Sequence, residues 1–90
     1  MGIPTKYELS ARQVVEFLVA GAKGTIANNT ANTTLTIVEA NALPSYEEIH
    51  TLPKIRLVGE DDRYYIQSDP AYSYYGVSDR PCEVSVFPEG

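Results

Sequence analysis

The chain reads as α+β: one main N-terminal helix and a short second helix on one face of a mostly antiparallel sheet of about five strands. Three observations predict this. Apolar residues recur at helical spacing from Ala11 to Ala22, two Ser-x-x-Gln/Glu signatures offer helix starts, and the second half alternates apolar with polar as strands do.

Each element follows in order. Tyr7 to Leu9 lead into Ser10-Ala11-Arg12-Gln13, which fits a capping box in which Ser10 caps the Gln13 amide and Gln13 reaches back. Ala11, Val14, Val15, Leu18 and Ala22 then fall on one helical face, with Arg12, Gln13, Glu16 and Lys23 on the other. Phe17 and Val19 widen the apolar face, and Gly21 and Gly24 mark its end. Thr25 to Ala27 and Thr33 to Ala40 read as strands around the polar turn 28–32. Asn28-Asn29-Thr30 and Asn32-Thr33-Thr34 match the glycosylation acceptor pattern, but no secretion signal accompanies them and they read as turn chemistry.

Ser45-Tyr46-Glu47-Glu48 is a second capping box, opening a helix of two turns at most that Pro53 stops. Lys54 to Val58 and Arg63 to Ser68 look like a hairpin across Gly59-Glu60-Asp61-Asp62, and parity with Ile66 places Tyr64 in the core. Asp69 to Pro81 reads as a long loop, and Cys82, Val84 and Val86 alternate in a half-buried final strand.

Ninety residues make one domain, 1–90, with too few layers to surround a large cofactor. Net charge is −5. Residues 1–45 sum to zero, so the whole excess lies in residues 46–90. An acidic surface repels phosphate backbones and steers basic partners, which argues against direct nucleic-acid binding and for a protein with a basic surface. The single cysteine, Cys82, excludes an internal disulfide and fits a reducing compartment. The longest near-apolar stretch, Val14 to Ala22, is far too short to span a membrane as a helix, so a cytoplasmic location is expected.

Five of the seven tyrosines lie between Tyr64 and Tyr75, among Asp, Ser, Gln, Pro and Gly. Rigid amphipathic rings beside small polar neighbours make the composition of a contact surface. Tyr65, Tyr72, Tyr74 and Tyr75 are the expected anchors, with Glu60, Asp61, Asp62, Asp69 and Asp79 steering the partner. Arg80 is the cation best placed for an anionic group.

Catalytic, metal and cofactor sites find little support. Glu60-Asp61-Asp62 lacks the ligand spacing of a calcium loop and reads as a solvated turn. Cys82 and His50 are the sole plausible nucleophile and base, but Cys82 alternates with valines like a small buried hydrophobe. A lone Cys and a lone His do not build the usual structural zinc site, and no phosphate loop occurs. The expected function is therefore a small, acidic, non-enzymatic protein-binding module. By size and charge it is analogous to inhibitors that viruses and mobile elements direct at a larger host machine. A protein sequestering a nucleotide-like ligand, and a subunit that forms a homodimer through the tyrosine loop, are the alternatives.

Overall fold

The computed structural model describes residues 4–67 and 71–89, with the side chain of Glu89 left out. It overturns the expected α+β class. Eight strands form two antiparallel sheets, and the one helix among the described residues is a single short turn. In chain order the elements are β1 (Thr5–Leu9), β2 (Val15–Leu18), β3 (Lys23–Asn28), β4 (Thr34–Ala40), α1 (Tyr46–Ile49), β5 (Lys54–Val58), β6 (Arg63–Ile66), β7 (Ser73–Ser78) and β8 (Cys82–Glu89).

One sheet has the order β1-β8-β3-β6 and the other β2-β7-β4-β5. The pairs β1·β8, β2·β7, β3·β6 and β4·β5 are all present, so the chain is a ribbon doubled back at the β4–β5 connection and then rolled up. The ladders β3·β8 and β4·β7 close the roll. This winding is the jelly roll. Inner faces of the two sheets meet in one core, with Ile26, Val84 and Val86 from the first facing Leu35, Ile37 and Leu57 from the second.

No main N-terminal helix forms. Residues 10–24 make a turn, β2, a second turn and the start of β3. The Ser10–Gln13 signature does make hydrogen bonds, but they close a reverse turn. The Ser10 N–H donates to Gln13 Oε1 at 3.0 Å and the Gln13 N–H to the Ser10 carbonyl at 3.1 Å, with Arg12 at φ 64°. Gly21, expected as a helix end, sits at φ 85° in the turn leading to β3. Val14, Val15, Phe17 and Val19 are β-branched or aromatic, so a strand suits them as well as a helix does. Pairing with β7 decides between the two. Val15 lies opposite Gly76, and an irregularity between Glu16 and Leu18 lets Phe17 and Leu18 both enter the core.

Two further expectations change. Lys54–Val58 and Arg63–Ile66 are strands, but they do not pair as a hairpin: β5 joins β4 and β6 joins β3, in opposite sheets. The expected long loop 69–81 contains β7, a central strand of the second sheet.

The second capping box forms as expected. Ser45 Oγ accepts from the Glu48 N–H at 3.2 Å, and Glu48 Oε1 accepts from the Ser45 N–H at 3.4 Å. The single turn it starts lies in the β4–β5 connection, which folds over the outer face of the second sheet. There Ile49 packs on Val38, Tyr75 and Val77, all buried. Among the described residues, no helix is long and apolar enough to cross a membrane.

Candidate functional site

Antiparallel winding puts the turns β1–β2, β3–β4, β5–β6 and β7–β8 at one end of the roll. The connections β2–β3, β4–β5 and β6–β7 lie at the other. This divides the expected site residues. Glu60, Asp61 and Asp62 (β5–β6) share the first end with Asp79 and Arg80 (β7–β8). Tyr72 and Tyr74 lie at or near the second, and Asp69 falls outside the described residues.

Two of the four carboxylates at the acidic end, Asp62 and Asp79, are taken up by hydrogen bonds within the chain. Asp62 Oδ2 accepts from the Val58 N–H at 2.9 Å, and the Asp61 N–H donates to the Asn28 carbonyl at 2.7 Å. Asp79 Oδ1 accepts from the Tyr46 hydroxyl, which raises that phenol's pKa because the protonated hydroxyl is the donor. The Arg12 guanidinium lies 5.6 Å from the centroid of the same ring. Arg80 and Glu60 are exposed.

The tyrosines separate by strand geometry. Tyr75 is buried, 5% exposed, beneath Ile49 on the outer face of the second sheet, so it does not sit at an open surface. Tyr74 faces the other way, half-buried against the inter-sheet core, and its hydroxyl donates to Glu39 Oε2 at 3.1 Å. Tyr72 is exposed ahead of β7. Tyr65 is 46% exposed on β6. Tyr64, expected in the core, is 41% exposed. It does share the inward face with Ile66, as strand parity requires; β6, however, is an edge strand, so the ring stands at the open side of the roll.

There, between the edge strands β5 and β6, lies an open cleft of about 440 Å³. Ile37, Ile55 and Ile66 form its apolar floor, and Tyr64 and Tyr74 have inward parity there, while Tyr65 lines it from β6 with the opposite parity. Glu39, Lys54 and Gln67 add the polar groups. The Lys54 ammonium donates to the carbonyls of His50 (3.1 Å) and Leu52 (3.4 Å) in the β4–β5 connection. Glu39 follows Leu35 and Ile37 on the inward parity of β4. Its row of the sheet is at the mouth, because the β4–β5 pairing ends at Val38 opposite Lys54.

Of the expected anchors, Tyr65 and Tyr74 line the cleft; Glu39 and Tyr64 line it without having been expected to. The signal for Glu39 was a carboxylate at the third inward position of an otherwise apolar alternation, where a charge is costly unless the site opens to water. Nothing local marked Tyr64, because the edge position of β6 depends on pairing with a distant strand.

Cys82 and His50 are not brought together. Cys82 is in the inter-sheet core, while His50 ends α1 on the outer face and packs edge-on against Tyr46 at 4.8 Å. Burial pushes the Cys82 thiol pKa up, as expected for a group losing hydration of its thiolate. Because the folded-state pKa is the higher one, folding holds the proton, and that stabilisation fades as pH rises through the thiol range. Alkylation by iodoacetamide at pH 8 is therefore expected to be at least about tenfold slower in the folded protein than in urea. Equal rates in the two states would place the thiol at the surface. Among the described residues, no group of three or more His, Cys, Asp or Glu side chains is placed to hold a metal ion.

Comparison with protein-family models, with curated proteins and with solved structures returned no match.

Proposed function

We propose that the protein is a protein-binding module that captures an extended segment of a partner in the tyrosine cleft, along the edge of β6. One observation carries this reading. The strand β6, at the edge of its sheet, borders a cleft whose lining includes Tyr64, Tyr65 and Tyr74. An added strand would gain main-chain hydrogen bonds from β6 and place alternate side chains into the cleft. Tyrosines are suited to anchoring such contacts, since they bury much area with few rotors to freeze. The β5 edge is the poorer acceptor: Pro53 precedes it and the strand itself carries Lys54 and Arg56, features that blunt strand addition.

The test uses a partner captured from native lysate on the immobilised protein, then reconstituted and mapped by hydrogen exchange. Protection is expected in Arg63–Ile66. The double substitution Tyr64→Ser, Tyr65→Ser should weaken binding by about 2 kcal/mol or more with little change in melting temperature. Protection confined to other elements, or undiminished binding by the double variant, would overturn the assignment of the cleft.

A further inference from the structure

Resting on that reading, we infer that the segment places an arginine in the cleft, with its guanidinium paired to Glu39 and flanked by the tyrosine rings. The apolar pattern on the inward face of β4 breaks at Glu39. Leu35 and Ile37 are fully buried on the inward face of β4, and the next inward residue is a carboxylate. In its row Glu39 lies opposite Tyr74, whose hydroxyl donates to Oε2 and fixes the carboxylate's position. Glu39 is solvent-exposed at the mouth of the cleft.

The occupant must then be cationic at this point. The neighbouring cation, Lys54, has its ammonium on the His50 and Leu52 carbonyls, which belong to the connection covering the outer face. The protein's net charge of −5 adds a long-range field of the same sign as Glu39. A phosphate-bearing ligand meets both of these terms as repulsion.

Arginine fits better than lysine on two counts. Its planar guanidinium can pair with a carboxylate through two parallel hydrogen bonds, whereas an ammonium offers a point charge. It also stacks on aromatic faces and is the less strongly hydrated cation, so entry beside the inward-facing Tyr64 and Tyr74 costs less desolvation. Sheet geometry supplies the approach. Inward side chains of a strand added to β6 point across the gap between the sheets, which is about 10 Å in such packings, toward the inner face of the sheet that holds Glu39.

The experiment compares three blocked heptapeptides of alternating threonine and valine, with arginine, lysine or citrulline replacing the central valine. Each is titrated into the full chain and followed by amide NMR. The arginine peptide is expected to shift the amides of Glu39 and Tyr64–Ile66 and to bind roughly tenfold more tightly than its uncharged citrulline isostere. Lysine should fall between them. Glu39→Gln keeps an acceptor for Tyr74 and should leave the melting temperature unchanged while removing the preference for arginine over citrulline. Equal binding of arginine and citrulline peptides, a preference that survives Glu39→Gln, or no shift at these amides at millimolar peptide would each overturn the inference. A captured partner that protects β6 but binds Glu39→Gln as tightly as wild type would remove the arginine and leave the protein-binding reading standing. Absence of β6 protection would remove both.

Discussion

Gly76→Ala is expected to lose about 3 kcal/mol of stability or more, a large part of the roughly 5–8 kcal/mol that a domain of this size holds. Gly76 faces the core from β7, and a Cβ built there would lie 2.1 Å from Phe17 Cε2 and 2.9 Å from Cδ2 and Cζ. The obstacle is not a flexible tip. Phe17 is 5% exposed, and its ring meets Tyr7 edge-on at a centroid distance of 5.2 Å. Relieving the clash requires moving a packed ring or parting β2 from β7, since Val15 pairs with Gly76. Urea denaturation measures the loss. Combining Gly76→Ala with Phe17→Leu, which shortens the obstructing side chain, should cost less than the sum of the single changes. A Gly76→Ala protein within about 0.5 kcal/mol of wild type would show that the ring is displaced freely and that this contact does not fix β2 on β7.

Asn28→Asp is expected to be comparably damaging, through polarity instead of volume. Asn28 is fully buried. Its side-chain amide donates to the carbonyls of Thr33 at 2.7 Å and Leu57 at 3.2 Å, and its Oδ1 accepts from the Thr30 N–H at 3.0 Å. Aspartate keeps the acceptor but sets an oxygen against two carbonyl oxygens, replacing two hydrogen bonds by repulsive contacts in a buried site. A loss of about 3 kcal/mol or more at neutral pH follows. The sign with pH is also fixed. Burial, with two carbonyl oxygens set against the second carboxyl oxygen, raises the folded-state pKa of the new carboxyl above its unfolded value of about 3.9, so the folded variant holds its proton more tightly. Its stability relative to wild type should therefore recover as pH falls toward that value and worsen as pH rises. A deficit that is constant from pH 4 to pH 8 would mean that the introduced carboxylate reaches water and that the Asn28 amide is not the clamp described.

This amide joins the β3–β4 turn to the end of β5, while the Asn28 main chain binds both Asp61 and Asp62. Composition alone marks residues 28–32 as a turn. It carries no sign that the first of them is fully enclosed, because the Leu57 carbonyl is remote in sequence. The two acceptor patterns have the same limitation: Asn28 matches one of them and is wholly inside.

Local signals proved sound wherever a single segment decides its own state. The capping box at Ser45 formed, the strands over 25–27, 33–40 and 54–58 formed, and the alternation of Cys82, Val84 and Val86 buried all three side chains. The candidate site was half legible. Composition pointed to Tyr65 and Tyr74 among the contact residues, and both line a cleft; Tyr64, expected in the core, lines it as well. Tyr75 has the same composition around it yet lies under Ile49.

The order of residues alone settles most of where the chain turns, which side chains alternate, and that charge and tyrosine are concentrated in the second half. Long-range pairing was needed to settle that residues 10–24 form a strand between turns instead of coiling, that β5 and β6 part into different sheets, and that Glu39 stands at an opening. The physical reason is common to all three. Alternation and capping are set by neighbours in the chain. A strand's partner, and whether it ends up central or at an edge, is set by ladders to residues far away in sequence, such as Val15 with Gly76, Thr25 with Tyr65 and Glu39 with Tyr74.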